Sequence, residues 1–192
     1  MAYIAGIDWS MSCPCIAIYN TKDKLEFKNC QYFFYHDNKK FDKSFDYIHG
    51  FKQKDYLCAE ERYNNLSEWA MEILHKFSVK SVTMEGYAMG ASKGLVFNIA
   101  ENGGLLKHKM WMAGIEVQCP APSAVKKHFT TKGNANKEVM YETLVANESI
   151  AVVDLFVGIT APKPKDSPVA DIVDAYAMIK YMIGHPDSKH MK

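Results

Sequence analysis

The chain has 192 residues, 48% of them hydrophobic and 23% charged, which suits one globular domain with a full core. Lys and Arg number 23 against 22 acids, so the net charge of +1 does not announce a nucleic-acid partner. No apolar run approaches the ~18 residues a membrane span needs, and the M-A-Y-I-A-G-I-D start lacks the features of a secretory signal. Five cysteines (Cys13, Cys15, Cys30, Cys58, Cys119) without repeated spacing argue against a disulfide framework, and a reducing cytoplasm is expected.

Tyr3–Asp8 and Ile16–Tyr19 read as two strands about a tight turn, S-M-S-C-P-C, whose cysteines are expected to be buried thiols. Leu25–Tyr35 is a third strand, and two successive antiparallel hairpins are the simplest arrangement. Residues 32–56 hold nine of the 24 aromatics, interleaved with Lys39, Lys40, Lys43, Lys52 and Lys54. Such a stretch can stack bases and grip a backbone, but a strand followed by a packed loop is the commoner outcome.

Leu66, Trp69, Ala70, Ile73, Leu74 and Phe77 then recur with helical period, giving a helix over Tyr63–Phe77. A strand at Lys80–Glu85, a helix at Ser92–Ala113 and a strand at Ile115–Cys119 imply a parallel crossover. Gly103 and Gly104, inside that helix, suggest a helix-contact site, either within the chain or at an interface between two copies. Pro120 and Pro122 punctuate, Ala135–Asn147 is helical, and Pro162, Pro164 and Pro168 mark an extended loop. Val169–Ile183 is the last helix, and 184–192 form a polar tail. The expected architecture is α/β: a mixed five-stranded sheet flanked by helices, one domain over residues 1–183.

The informative acids are those that interrupt apolar segments. Asp8 ends the first strand in G-I-D-W-S, and Glu85 ends the fourth in V-T-M-E-G-Y. Asp171 and Asp174 share one face of the otherwise apolar A-D-I-V-D-A-Y-A-M helix. If the first and fourth strands are parallel neighbours, Asp8 and Glu85 emerge at the edge where open α/β sheets bind ligands. Clustered carboxylates raise each other's pKa unless a cation neutralises them, and hard oxygen donors favour Mg²⁺ or Mn²⁺. Four such groups can hold two ions ~3.5–4 Å apart, the arrangement of phosphodiester hydrolysis. The plainer alternative is a turn residue, a strand-end charge and a polar helix face.

G-I-D-W-S, M-E-G-Y, A-P-S-A-V-K-K, G-N-A-N-K and A-D-I-V-D-A-Y-A, in this order from Tyr3 to about Tyr181, together resemble the RuvC-type Holliday junction resolvases. The compact form is similar to the phage-encoded branch, which would place the protein in the host bacterial cytoplasm. The resemblance implies a ribonuclease H-like fold, a homodimer and Mg²⁺-dependent incision of branched DNA. It maps the family's four catalytic acids onto Asp8, Glu85, Asp171 and Asp174, and its two important lysines onto Lys126 and Lys137. Where the family often carries an aromatic wedge three residues after the glutamate, this chain has Ala88, with Tyr87 the nearest aromatic. The family's G-x-G before the second lysine is here T-K-G, Thr131–Gly133.

Lys126, Lys127, Lys132 and Lys137 make residues 121–140 locally basic against one acid, Glu138, which suits a DNA backbone as well as a solvated charged face. Lys137, expected one turn into its helix, can also stabilise charge on a scissile phosphate. A four-way junction has two-fold symmetry, so paired nicks call for two copies of a chain with one acid cluster, with the Ser92–Ala113 helix contributing to the contact. Two other readings compete. A ribonuclease H acting on RNA–DNA hybrids shares the acids but fits P-S-A-V-K and N-A-N-K less well. An actin-like nucleotide binder also opens on a G-I-D strand but needs a second domain and a second phosphate loop.

Overall fold

The computed structural model describes residues 3–86 and 95–186. Its strands are β1 (Tyr3–Asp8), β2 (Cys15–Asn20), β3 (Cys30–His36), β4 (Ser44–Phe45), β5 (Ile48–Lys52), β6 (Ser81–Met84) and β7 (Glu116–Gln118). Its helices are α1 (Ala59–Lys76), α2 (Leu95–Met112), α3 (Pro122–Thr130), α4 (Lys137–Glu148) and α5 (Val169–Gly184). All strands join one sheet in the order β4-β5-β3-β2-β1-β6-β7. β1, β2 and β3 are the expected antiparallel meander, and β6 lies parallel to β1 with Ile7 opposite Met84. Because β5 is parallel to β3, and β7 to β6, the C-terminal ends of β1, β3, β5, β6 and β7 share one sheet edge.

The sheet has seven strands rather than five. The two additions, β4 and β5, come from the aromatic stretch expected to be a packed loop. Their brevity hides the alternation, but Phe41, Phe45 and Ile48 are buried, and Phe34, Phe41 and Phe45 gather around Phe156. The aromatics of this stretch are therefore largely core. The third strand also begins later than expected, at Cys30, after a 3-10 turn at Phe27–Asn29.

Strand alternation sorts the core into two layers. Ala5, Ile7, Ile16, Ile18, Phe33, Tyr35, Val82 and Met84 face α1 and α2. Cys15, Ala17, Tyr19, Tyr32 and Phe34 face α3, α4 and α5. The same parity turns Gly6 and Asp8 toward α5, and it carries past Met84 to Glu85. The helix lies directly on β1: a Cβ on Gly6 would stand 2.1 Å from the Ala175 carbonyl oxygen and 2.8 Å from Met178 Cβ. Glycine here lets α5 touch the strand. Asp8 lies two strand residues beyond Gly6, ~7 Å, and Asp171 lies four helical residues before Ala175, ~6 Å, so the acids can reach the same level.

Helix α3 departs from the sequence reading. Pro122, taken there as a break, occupies the first turn of α3, where its missing N–H costs nothing. Thr131 at φ 69° closes the helix, and Asn136 caps α4 by accepting from the Val139 N–H at 2.9 Å. Lys137 is consequently the first residue of α4 and not one turn in. Among the described residues, nothing lies within 4 Å of a Cβ built on Gly104, so it makes no close helix contact with them. Ser92 and most of the polar tail, 187–192, lie outside the described residues.

Candidate active site

The four acids come from three elements. Asp8 is the last residue of β1, Glu85 directly follows β6, and Asp171 and Asp174 stand in the first two turns of α5. With Lys126 from α3 and Lys137 from α4 they line one cavity of about 300 Å³. Ser10 and Ser12 of the β1–β2 loop, Met140 of α4 and Ser167 before α5 complete it. Lys127 and Lys132 lie on exposed surface outside this cavity. Adjacent helical residues diverge by ~100°, so Lys126 turns partly inward while Lys127 faces solvent. Lys132 belongs to the turn after α3, where its N–H donates to the Thr130 hydroxyl at 3.1 Å. Tyr87 and Ala88 lie outside the described residues.

The electrostatics separate these acids from structural ones. Asp8 is held well above the ordinary carboxylate range by burial, then by Asp174, Asp171 and Glu85, with Lys137 opposing. Asp174 is pushed up to about 7, first by burial and then by Glu85, with Lys137 and Lys126 opposing and Asp171 adding to the rise. Burial also raises Glu85 against the pull of Lys126 and Lys137. Asp171 is buried, and its Oδ2 has no hydrogen-bond partner. Glu148 shows what a structural carboxylate looks like in the same molecule. Its Oε1 accepts from the Tyr176 hydroxyl at 2.6 Å and from Lys180 Nζ at 3.3 Å, and its Oε2 accepts from the Phe27 N–H at 2.9 Å. Burying a carboxylate oxygen without such partners is costly unless something else meets it.

The donor set suits a hard divalent cation: four carboxylates, with no histidine among the cavity residues. Cys13 and Cys15 lie close by, but they are buried and free, and burial followed by the charge of Asp171 drives both thiols far up. They remain neutral thiols, as the turn reading expected, and offer no thiolate to a softer metal. As the side chains stand, no three acidic, histidine or cysteine groups among the described residues are gathered tightly enough to share an ion. Mutual repulsion of the acids and the pull of Lys137 on Asp171 both favour that spacing. The site thus fits a cation by residue type and by its unpartnered buried oxygen.

Sequence reasoning did not single out Ser10, Ser12, Ser167 or Met140. The serines stand near the acids or next to Pro168, but serine is common in loops and nothing in its spacing marks it. Their place in the cavity arises only when the β1–β2 loop and the start of α5 close over Asp8.

A mixed sheet with an acid at the end of its central strand, and further acids on the helix crossing that strand, is the ribonuclease H-like fold. The chain belongs to the RuvC family, the crossover junction endodeoxyribonucleases, whose model matches residues 49–178. The matched stretch contains Glu85, Lys126, Lys137, Asp171 and Asp174 and begins after Asp8. Among solved structures the chain is similar to Thermus thermophilus RuvC (TM-score 0.62, 18% identity, 96% of each chain covered). It is similar also to T. thermophilus RuvC in complex with a Holliday junction substrate (0.59, 15%, 97% of this chain and 95% of that one). A third neighbour is Ydc2, the yeast mitochondrial Holliday junction resolvase (0.54, 13%, 95% and 79%). At such identities these neighbours show a common fold. No curated protein matches the chain in sequence.

Proposed function

We propose that this protein is a divalent-metal-dependent endodeoxyribonuclease that resolves Holliday junctions, and other branched DNA, by phosphodiester hydrolysis. The observation that carries the reading is the convergence of Asp8, Glu85, Asp171 and Asp174 with Lys126 and Lys137 in one cavity of a RuvC-family chain. The junction-bound neighbour supports the substrate class. Residues 1–183 act as one nuclease domain in this reading, supported by the single continuous sheet.

The four carboxylates would hold Mg²⁺ or Mn²⁺, two ions in the fullest form of the proposal. Bound there, the ions supply an activated water and stabilise the leaving oxygen. The chain's own residues do the rest. Asp8, whose ionisation is delayed by burial and by Asp174, and Asp174, delayed by burial and by Glu85, would give up their protons in order to hold such ions. Lys126 and Lys137 offset the charge of a phosphodiester entering beside the acids. Serine hydroxyls at 10, 12 and 167 are donors within reach of its oxygens. Lys127 and Lys132 are assigned to DNA outside the cavity by their exposure on the same basic segment, and Tyr87 is assigned to DNA by the resemblance alone.

Paired incisions need two active sites related by a two-fold axis, and we assign α2 to that contact. Phe97, Gly104 and Trp111 recur at intervals of seven along one stripe of the helix. Phe97 is 73% and Trp111 70% exposed, and Gly104 leaves room for a close approach. An apolar groove of about 580 Å³, lined in part by Trp111, Ile115, Val117 and Tyr181, lies beside the stripe. A second copy of the chain suits this surface.

The test is incubation of the protein with end-labelled four-way, Y-shaped, hybrid and linear duplexes, with Mg²⁺ or with EDTA. Mg²⁺-dependent paired incision of the four-way junction is the expected result. Cutting confined to the RNA–DNA hybrid would instead favour the ribonuclease H reading, and no cutting of any substrate would contradict both.

A further inference from the structure

The added strands β4 and β5 contribute no side chain to the cavity, yet the chain leaving β5 reaches the loop that forms its wall. The Gln53 N–H donates to the His36 carbonyl at 2.9 Å, extending the β3–β5 ladder by one step. The Gln53 side chain then turns inward and is only 7% exposed. Its Nε2 stands 2.9 Å from the Tyr35 carbonyl oxygen, 3.0 Å from that of Ser12 and 3.3 Å from that of Met11. Three carbonyls around one end of an amide fix its orientation, because only the NH₂ group can donate to them. From α1, Arg62 Nη2 donates to the same Met11 carbonyl at 2.8 Å.

Met11 and Ser12 belong to the loop leaving Asp8, which brings Ser10 and Ser12 to the cavity. The loop is also closed on itself, the Cys13 N–H donating to Ser10 Oγ at 3.0 Å. Outside the site, the Tyr35 N–H holds the Pro14 carbonyl at the far end of the loop at 3.1 Å, and among the described residues the Met11 and Ser12 carbonyls are held by the Gln53 amide and the Arg62 guanidinium. Burying an amide is costly unless its hydrogen bonds are made, so a position serving only the core is better filled by an apolar side chain. Here two of the three amide contacts are spent on the active-site loop.

We infer that Gln53 is a positioning residue for phosphodiester cleavage, holding the Met11 and Ser12 carbonyls so that Asp8 and the Ser10 and Ser12 hydroxyls keep their places in the cavity. The β4–β5 extension is thereby a buttress of the active-site loop. The inference rests on the nuclease reading of the site.

The test is Gln53→Met, which keeps length and volume but removes both donors. Single-turnover cleavage of a four-way junction at saturating enzyme and Mg²⁺ should fall by ~10- to 100-fold, with the junction Kd within about twofold of wild type. Amide hydrogen exchange should speed up over residues 9–13 and stay unchanged in α1 and β1–β3. Because the effect runs through the loop, the Gln53→Met/Ser12→Ala double variant should be about as slow as the slower single variant. Arg62→Met removes the other hold on the same carbonyl and should repeat the rate loss, which keeps the test open if the first variant fails to fold. An unchanged rate, additive losses in the double variant, or faster exchange across the whole core would overturn the inference. Wild-type protein that leaves every junction uncut would refute the nuclease reading as well, whereas wild-type cutting with undiminished Gln53→Met refutes this inference alone.

Discussion

Lys137 Nζ stands 3.8 Å from Asp171 Oδ1, joining the first residue of α4 to the first turn of α5 across the cavity. The lysine side chain is half exposed while the carboxylate is buried, so Lys137 presents positive charge where a phosphate would enter. Lys132 has no such neighbour among the cavity residues. Lys137→Ala should therefore lower the single-turnover rate at saturating enzyme more than it weakens binding. Lys132→Ala should weaken binding to every junction sequence alike and reduce the salt slope by about one charge. Equal binding losses with unchanged rates would reduce both lysines to a DNA-attracting surface.

Acid stability follows from the raised carboxylates. In the unfolded chain Asp174 ionises near ~4, and in the folded one at about 7, with Asp8 and Glu85 shifted the same way. Between these values the folded state binds more protons than the unfolded state. Its stabilisation is therefore complete below ~4 and lost as pH rises through about 7. In EDTA the Asp174→Asn variant should be more stable than wild type at pH 8, by about 1–2 kcal/mol, with the advantage disappearing toward pH 4. Adding Mg²⁺ at pH 8 should raise the wild-type melting temperature more than that of the variant. Thermal melts across pH 4–8 check this, and a variant less stable than wild type at pH 8 would contradict it.

The contact of α5 with β1 sets the level of the acids. Gly6→Ala would place a methyl group 2.1 Å from the Ala175 carbonyl, and backbone on both sides leaves no flexible atom to yield. Destabilisation of at least about 2 kcal/mol is expected in urea unfolding. Gly104→Ala, facing open space, should cost the isolated chain nothing and slightly favour its helix. Similar losses for both would mean that α5 does not rest on Gly6.

Assembly can be tested on α2. Trp111→Glu should convert a wild-type dimer to a monomer in sedimentation equilibrium and replace paired incisions with single nicks. A wild-type protein that stays monomeric both free and on a junction would contradict the assignment.

Much of the site was legible because its signals are local. An acid closing an apolar strand marks Asp8 and Glu85, and an i,i+3 pair on an apolar helix marks Asp171 and Asp174. The parallel pairing of β6 with β7 follows from the crossover, whereas that of β1 with β6 was a condition that only the structure supplies. What stayed hidden depends on tertiary closure. Two-residue β4 has no periodicity to read, and Pro122 looks the same whether it ends one element or starts another. Without α3 the differing aspects of Lys126 and Lys127 could not be separated. Gln53, Ser12 and Ser167 are ordinary loop residues until the β1–β2 loop is seen pinned over the acids.

The central claim, that the acid cluster cuts branched DNA, is tested most directly by Asp8→Asn. Asp8 sits among three other carboxylates, so replacing it removes a charge and a ligand while leaving the side-chain shape nearly intact. A labelled four-way junction incubated with wild type and with the variant over a range of Mg²⁺ concentrations should show paired incision by the wild type only. Gel-shift binding by the variant should be retained or tightened, since one negative charge facing the phosphates is gone. Mg²⁺-dependent incision by Asp8→Asn at the wild-type rate would contradict the account.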